Sequence, residues 1–562
     1  MKKQNYMSDL LIFLKNDCRM LFNLRFAARE QSVFKAVVIG VFAAAILAGL
    51  FFLFLDAFRF LSSLGGVGVL LIQHLFGLFF LGLGIMLVLS NIITAYAVFF
   101  RAEDVPFLLL QPVSRGTIAV HKYLESALLS SWAFFFIMVP FVSAFAWHQK
   151  LPLIFAFWTV LFSIPFVVFC SGIGVILVVL AVRFMPRLRG WVWFSAFFLC
   201  LLAFGFYDAF KGTGYKSDDV SFLLAGLVPG IKLASFPLWP SWWVSEGIMA
   251  LVRERWDRGA LLFCVLIANL LFVAMAVEFI GDRFFYGAWE RVVSAGERAG
   301  LRRAGYGGLS AFTAGFLPPE YRAIILKDIR TLLRDPVQMI QGLLFFGLLG
   351  IYFFNLRNLQ YHLLAPVWRN LISFLNLFSL ATIMCSFCSR FVFPQISLEG
   401  HAFWIIGLSP TGMGRVLKIK FMLAVFIMLM ISGTLMTISA LMLSVPSYVL
   451  LITILVAVAV SFALCGLALG LGAVFMDLEQ TNPVAIISGF GGTFNLVLSL
   501  VYIMAAIIPF GFICHEYILG GISRAWFAAG IAAASVWLAI ITTLTAALPL
   551  IAGRRSLVSR EY

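Results

Sequence analysis

The chain has 562 residues, of which 63% are hydrophobic and only 12% are charged, and its formal net charge is +15. Soluble domains are about half apolar and about a quarter charged, so this composition excludes a soluble globular protein. The lysines and arginines are spread over many loops, which disfavours nucleic-acid binding as the reason for the positive charge.

Long apolar runs define the predicted fold. A run of about 20 residues crosses a bilayer as a helix, and continuous rather than alternating runs favour helices over a barrel. We therefore predict an all-α, polytopic membrane protein with about 12 transmembrane helices in two pseudo-repeated six-helix halves. The runs are 36–55, 75–100, 123–147, 153–182, 190–206, 260–281, 338–355, 371–393, 421–445, 447–475, 484–510 and 525–552.

The distribution of positive charge predicts the orientation. When both termini and every second loop are assigned to one side, that side holds most of the 40 lysines and arginines. The positive-inside rule then places both termini in the cytoplasm and makes the chain a multi-pass plasma-membrane protein. The cytoplasmic charge would also attract anionic lipids.

Amphipathic and linker sequences divide the chain further. On a helical wheel, Ile325 and Leu332 share one face while Lys327 and Arg330 lie on the other, which is typical of an interfacial helix that ends at Pro336. The predicted segments are an N-terminal elbow segment 1–35, a first transmembrane half 36–281 with an outer loop 207–259, a cytoplasmic linker 282–319, a second elbow helix 320–337, a second transmembrane half 338–552 and a tail 553–562. The tryptophan-rich outer loop predicts either a gate or an aromatic anchor.

Matched elements relate the two halves. Asp17-Cys18-Arg19 opens the first half, and Lys327-Asp328-Ile329-Arg330 opens the second. Pro112 and Pro410 each stand ten residues before a lysine, Lys122 and Lys420. A duplicated membrane unit with matched cytoplasmic elements indicates a pseudo-symmetric transport pore.

The loops after the second and eighth runs carry most of the functional signal. Each has an acidic residue, an aromatic-apolar cluster, a proline turn and then a basic residue that leads into a span. We predict that each loop docks into a groove of a partner protein, while an ordinary re-entry turn is the alternative. The predicted docking residues are Glu103, Asp104, Pro112, Arg115, Glu399, Phe403, Pro410 and Arg415.

Motifs of catalysis and cofactor binding are not found. The sequence contains no G-x-x-x-x-G-K-[S/T], no H-E-x-x-H and no G-x-S-x-G, so we expect no catalytic, cofactor-binding or metal-binding residue and no enzyme activity in this chain. The dense glycines between Gly466 and Gly472 predict close helix packing, as does the C-x-x-C of Cys385 and Cys388.

The order of these motifs resembles the permease subunits of ABC-2 type exporters, in the large form with two six-span halves. The resemblance is carried by Lys327 to Pro336, Phe393 to Gly400, Leu408-Ser409-Pro410 and Asp477 to Pro483. The first half departs from the pattern, because the basic segment from Arg183 to Arg187 replaces the acidic loop.

This resemblance implies a function and a partner. The chain would be the permease that forms the translocation path, and two copies of a separate ABC ATPase subunit would bind ATP and Mg²⁺ and act on the docking loops. Asp477 and Glu479 would make secondary contacts with that partner. The elbow helices would include Asp17, Arg19, Lys327, Asp328, Arg330 and Arg334.

Other functions stay open at this point. An ion- or proton-coupled carrier with internal repeats would need no ATPase, although intramembrane acids and histidines are scarce. A membrane scaffold or an integral membrane enzyme is the third possibility. The sequence also leaves open whether one chain or a homodimer forms the pore.

Overall fold

Every secondary-structure element in the described part of this computed structural model is helical. None of the described residues forms a β-strand, which confirms the predicted all-α class for this part of the chain. The described residues are 12–13, 15, 19, 33–63, 66–102, 104–184, 236–301, 318–334, 338–339, 341–342, 366–408, 412–443, 446–480, 486–487 and 489–559.

The chain divides into two units. Unit 1 comprises Met1–Arg303 with Ile340–Leu344, and unit 2 comprises Ala304–Met339 with Phe345–Tyr562. The helices of unit 1 are α1 (Val33–Ser63), α2 (Gly66–Tyr96), α3 (Val105–Leu110), α4 (Arg115–Gln149), α5 (Ile154–Phe184), α6 (Pro240–Val252), α7 (Trp256–Ile280) and α8 (Tyr286–Leu301). Short π-helical segments, Ala97–Arg101 and Gly281–Phe285, follow α2 and α7.

Unit 2 has seven further described helices. They are α9 (Pro319–Arg334), α10 (Pro366–Phe387), α11 (Phe403–Gly407), α12 (Met413–Leu443), α13 (Ser447–Val474), α14 (Phe490–Ile518) and α15 (Arg524–Val558). A π-helical segment, Cys388–Val392, and two 3₁₀ segments, Phe393–Gln395 and Ser397–Ala402, connect α10 to α11.

Ten helical segments in the described part are long and apolar enough to cross a membrane. The predicted run 190–206 lies outside the described residues, as does nearly all of 338–355. Large apolar side chains on these helices are exposed, for example Val536, Ile540, Leu544 and Leu548 along α15. An apolar surface of this kind suits lipid rather than water.

Unit 1 is packed around aromatic side chains. α1 packs against α4, and α2 packs against α5. Aromatic rings also join α2 to α4. The rings of Phe79 and Phe141 stack with centroids 3.6 Å apart, and Phe76 meets Phe145 edge to face at 4.4 Å. Phenylalanine is abundant in this chain and fills such space without a polar atom that needs a partner.

Part of the predicted outer loop 207–259 is a packed helix. α6 contacts α2, α5 and α7, and its Trp243, Val244 and Ile248 are buried. Trp243 Nε1 donates a hydrogen bond of 2.7 Å to the carbonyl oxygen of Pro237, which satisfies the indole inside the unit. Residues 207–235 of that loop lie outside the described residues.

Small residues join α13 to α15 in unit 2. A Cβ atom added to Gly466 would lie 2.7 Å from the Cα of Ala546, and one added to Gly553 would lie 2.8 Å from the Cβ of Ala473. One added to Gly470 would collide with the backbone of Pro549. The glycines between 466 and 472 therefore serve the close helix packing that the sequence predicts.

Replacing Gly470 with alanine should lower the melting temperature of the purified protein, because the added methyl group meets backbone that cannot rotate away. Overpacking of this kind costs about 1–3 kcal/mol. The matched control is Gly433→Ala on α12, where no atom lies within 4 Å of the added methyl group. Equal melting temperatures for the two variants would contradict the close packing of α13 on α15.

Candidate functional site

A fully buried lysine lies near the start of α4. Ser114 caps this helix by accepting a hydrogen bond of 3.1 Å from the backbone N–H of Thr117. Lys122 follows two turns later with its side chain only 1% exposed. Its Nζ lies 2.6 Å from Asp104 Oδ2 and 2.7 Å from Glu125 Oε2. We call these three residues the Lys122 cluster.

The carboxylates of the Lys122 cluster face outward. The Asp104 side chain is 50% exposed and that of Glu125 is 36% exposed. Asp104 is the residue directly before α3, so its ion pair fixes the start of that short helix to α4. The ammonium is buried, but the charge that balances it remains partly in contact with solvent.

A second buried lysine lies at the matching place in unit 2. Lys420 is 3% exposed, and its Nζ lies 2.9 Å from both carboxylate oxygens of Asp328 on α9 and 3.0 Å from Glu399 Oε1. Lys327 also pairs with Glu399 and lies 3.4 Å from Asp328 Oδ1. These four residues, the Lys420 cluster, carry two positive and two negative charges.

The Lys420 cluster joins three elements. Asp328 comes from α9, Glu399 from the 3₁₀ segment before α11, and Lys420 from α12. Asp328 is 8% and Glu399 13% exposed, so all three charges are largely removed from water. A buried charge is tolerated only when it is paired and hydrogen-bonded, so each element is held by the other two.

Two short helices beside these clusters expose apolar side chains. On α3, Phe107 is 64% and Leu110 84% exposed. At α11, Trp404 and Ile405 are exposed, and so is Leu408 directly after the helix. Apolar groups exposed next to ion-pair clusters are typical of surfaces that another molecule covers.

The predicted docking residues fall into three groups. Glu103 and Pro410 lie outside the described residues. Asp104, Pro112 and Arg115 are exposed, and the Arg115 guanidinium lies 4.4 Å from the centre of the Tyr286 ring. Arg415 is exposed and its Nη1 pairs with Glu320 Oε2 on α9 at 3.0 Å.

Two of the predicted docking side chains face inward. Glu399 belongs to the Lys420 cluster, and Phe403 is 5% exposed and lines a small cavity with Ile396 and Leu417. The pattern of an acidic residue followed by an aromatic residue was expected to form the outward surface of the loop. The structure instead uses both residues to anchor the loop, while Trp404, Ile405 and Leu408 face outward.

The predicted secondary contacts lie on the loop after α13. Asp477 and Glu479 are exposed. The Asp477 carboxylate accepts hydrogen bonds from the backbone N–H groups of Glu479 and Gln480, and its own N–H donates to Ser397 Oγ at 3.2 Å. This loop therefore touches the segment that carries Glu399.

The elbow residues are described only in part. Asp17 lies outside the described residues, and Arg19 is exposed. On α9, Lys327 and Asp328 belong to the Lys420 cluster, and Arg330 is half-buried. Arg334 ends α9, and its side chain lies outside the described residues.

Sequence reasoning noted Lys122 and Lys420 as matched positions but did not place them in the site. It missed Glu125 altogether. The available signal was a lysine about two turns inside a long apolar helix, since a charge at that depth needs a partner.

One comparison with known proteins finds a match. A family model described as "Putative ATP-binding cassette" matches residues 27–561. Because this covers nearly the whole chain, the chain belongs to that family, a family of ABC transporter proteins by its description. No curated protein and no solved structure matches the chain.

The family match corrects four expectations. The chain was expected to be an ABC-2 type permease, to act only as a permease subunit, to have no enzyme activity and to leave ATP and Mg²⁺ to a partner. The matching family is described as an ATP-binding cassette and not as an ABC-2 permease. This overturns both the resemblance to ABC-2 permeases and the expected function as a permease subunit only. The same description implies ATP binding in this chain, so the other two expectations are wrong as well.

The described residues do not fit the nucleotide that this description implies. A phosphate cradle needs a glycine-rich loop with open backbone N–H groups. In the glycine-dense part of α13, neighbouring backbone already fills the space beside Gly466, Gly470 and Gly472. Across the described part, no group of three or more acidic, histidine or cysteine side chains could hold a metal ion. We therefore derive no step through ATP or Mg²⁺.

Replacing Lys420 with methionine should strongly destabilise the protein, because Asp328 and Glu399 would stay buried without their main counter-charge. Breaking a buried ion pair on one side costs about 3–5 kcal/mol. The control is Lys418→Met, two residues earlier on an exposed position of α12, which should change stability by less than about 0.5 kcal/mol. Melting curves of the purified proteins measure both, and adding Asp328→Asn to Lys420→Met should recover part of the loss. Similar curves for the two single variants would contradict the buried cluster.

Replacing Lys122 with methionine should cost less than replacing Lys420. The carboxylates left behind, Asp104 and Glu125, already contact solvent, so the loss should be closer to the ~1 kcal/mol of exposed ion pairs. The same melting curves compare the two lysines directly. A Lys122 variant at least as unstable as the Lys420 variant would show that the Asp104 and Glu125 carboxylates are not solvated as described.

Proposed function

We propose that this chain is a membrane-embedded ABC transporter protein in which movements of the short helices α3 and α11 reach the spanning helices through the Lys122 and Lys420 clusters. The observation that carries the proposal is the pair of buried lysines. Each lies two turns inside a spanning helix and is bonded to a carboxylate at the base of a short, exposed apolar helix. Membership in the ATP-binding cassette family supports the link to ATP.

The geometry supports force transfer at these points. A force on α3 acts on Asp104 and, through the 2.6 Å ion pair, on Lys122 of α4. A force on α11 acts on the segment of Glu399 and through it on α12 and α9. Paired charges inside protein resist separation more than exposed pairs do, so the loop and the spanning helix move together.

The finer architecture is part of the proposal. Twelve spans in two six-helix halves would place the two clusters at equivalent positions, and the ten spanning segments with the matched lysines support this arrangement. The plasma membrane with both termini in the cytoplasm agrees with the charge distribution of the loops. The clusters and the exposed apolar helices would then lie on the cytoplasmic side.

The exposed apolar side chains of α3 and α11 would be the surface that a partner protein contacts. An ABC ATPase subunit in two copies stays the predicted partner, with Asp104, Pro112, Arg115 and Arg415 at the rim of the contact. A homodimer of this chain would be a further arrangement of the same surfaces.

Serine at both Leu110 and Leu408 should reduce ATP hydrolysis by the assembly extracted from native membranes several-fold, with no change in melting temperature. Both side chains are mostly exposed, so their loss weakens a contact surface and not the folded core. ATP hydrolysis is measured after mild-detergent purification, with mass spectrometry of the proteins that co-elute.

The control is Leu153→Ser, an equally exposed leucine beyond the other end of α4. It should leave hydrolysis unchanged. Binding of labelled ATP to the chain purified alone separates hydrolysis by this chain from hydrolysis by a co-eluting protein. If neither the chain nor its assembly binds or hydrolyses ATP, the proposed function is wrong.

A further inference from the structure

Unit 2 carries positive charges at one end of α12 and α15 that no described acidic side chain balances. Arg554 and Arg555 are exposed near the end of α15, and Lys418 is exposed on α12. No described carboxylate lies within ion-pair distance of these three side chains, whereas the nearby Arg415 is paired with Glu320.

The ends of the two helices are in contact. A Cβ atom added to Gly414 would lie 3.1 Å from Arg554 Nε, so the guanidinium rests on the first turn of α12. Leu557 lines the same small cavity as Met413 and Val416. The first turn of α12 has no acidic residue, so the positive end of its helix dipole lies beside Arg554.

Unit 1 has acidic side chains at the corresponding place. Gly116 follows Pro112 by four residues, as Gly414 follows Pro410. A Cβ atom added to Gly116 would lie 3.0 Å from Cγ of Glu278 and 3.5 Å from Cβ of Asp282. Two acidic side chains therefore lie against the first turn of α4, while Arg554 lies against the first turn of α12.

We propose that Arg554, Arg555 and Lys418 form a binding site for a phosphate group at the joined ends of α12 and α15. The phosphate supplies a negative charge that no described carboxylate supplies to these three side chains. Guanidinium groups suit this ligand, because their planar N–H donors bind two phosphate oxygens at once. The group belongs either to an anionic lipid headgroup or to a free phosphate compound.

The test compares Arg554→Gln/Arg555→Gln with Arg524→Gln, which removes an arginine from the opposite end of the same helix. Each full-length protein is placed in nanodiscs of equimolar phosphatidylcholine and phosphatidylglycerol, and native mass spectrometry counts the retained phosphatidylglycerol. A second arm measures the melting temperature in uncharged detergent with and without inorganic phosphate.

The wild type and Arg524→Gln should retain phosphatidylglycerol, and the double variant should bind it with roughly 25-fold lower affinity, since each cation near an anionic surface contributes about fivefold. A melting temperature that phosphate raises in the wild type but not in the double variant would instead assign the site to a free phosphate compound. Arg554→Lys/Arg555→Lys should restore part of the binding. Equal lipid retention and equal phosphate response in all variants would overturn the proposal, and neither result depends on ATP use.

Discussion

The burial of a lysine ammonium group in an apolar helix is the constraint on which the rest of the site depends. Removing an ammonium ion from water costs several kcal/mol even after the protein relaxes. Carboxylate oxygens lie within 3.0 Å of the Nζ atoms of Lys122 and Lys420 and supply the opposite charge that a buried ammonium group needs. Glu125 comes from α4 itself, but the other three carboxylates come from loops and an amphipathic helix. The charge of each lysine therefore fixes segments that have little apolar surface of their own.

The two units meet this demand in different ways. In unit 1 the partners of Lys122 are a loop residue and a residue one turn along the same helix, and both remain in contact with solvent. In unit 2 Asp328 comes from α9, and Lys327 completes a neutral cluster. Water can replace a lost contact in the first arrangement more easily than in the second, so separation of α3 from α4 requires less free energy than separation of α11 from α12.

The sequence predicts the helices far better than the contacts between them. Continuous apolar runs and the two-faced pattern around Lys327 depend on local spacing, and helices form at those places. Glu399 shows why the contacts are harder to predict. Its charge is visible in the sequence, but whether its side chain faces inward or outward depends on Lys420, 21 residues later, and on α9, about 70 residues earlier. The composition of α6 is equally ambiguous, because tryptophan and proline suit both a membrane-surface anchor and a helix whose Trp243 is buried.

The loop before α11 is tied to more than the lysine. Gly400 has a φ of +54°, a conformation open mainly to glycine, and it turns the chain between the cluster and α11. Behind it, the absence of a side chain at Gly472 lets the Phe393 carbonyl approach α13 closely. Ser397 accepts a hydrogen bond from the loop after α13. Since α13 is itself joined to α15 through glycines, a displacement of α11 cannot be absorbed by the loop alone. It must either break the Lys420 cluster or move α10, α12 and α13 together, and the free energy of the buried charges favours the second outcome.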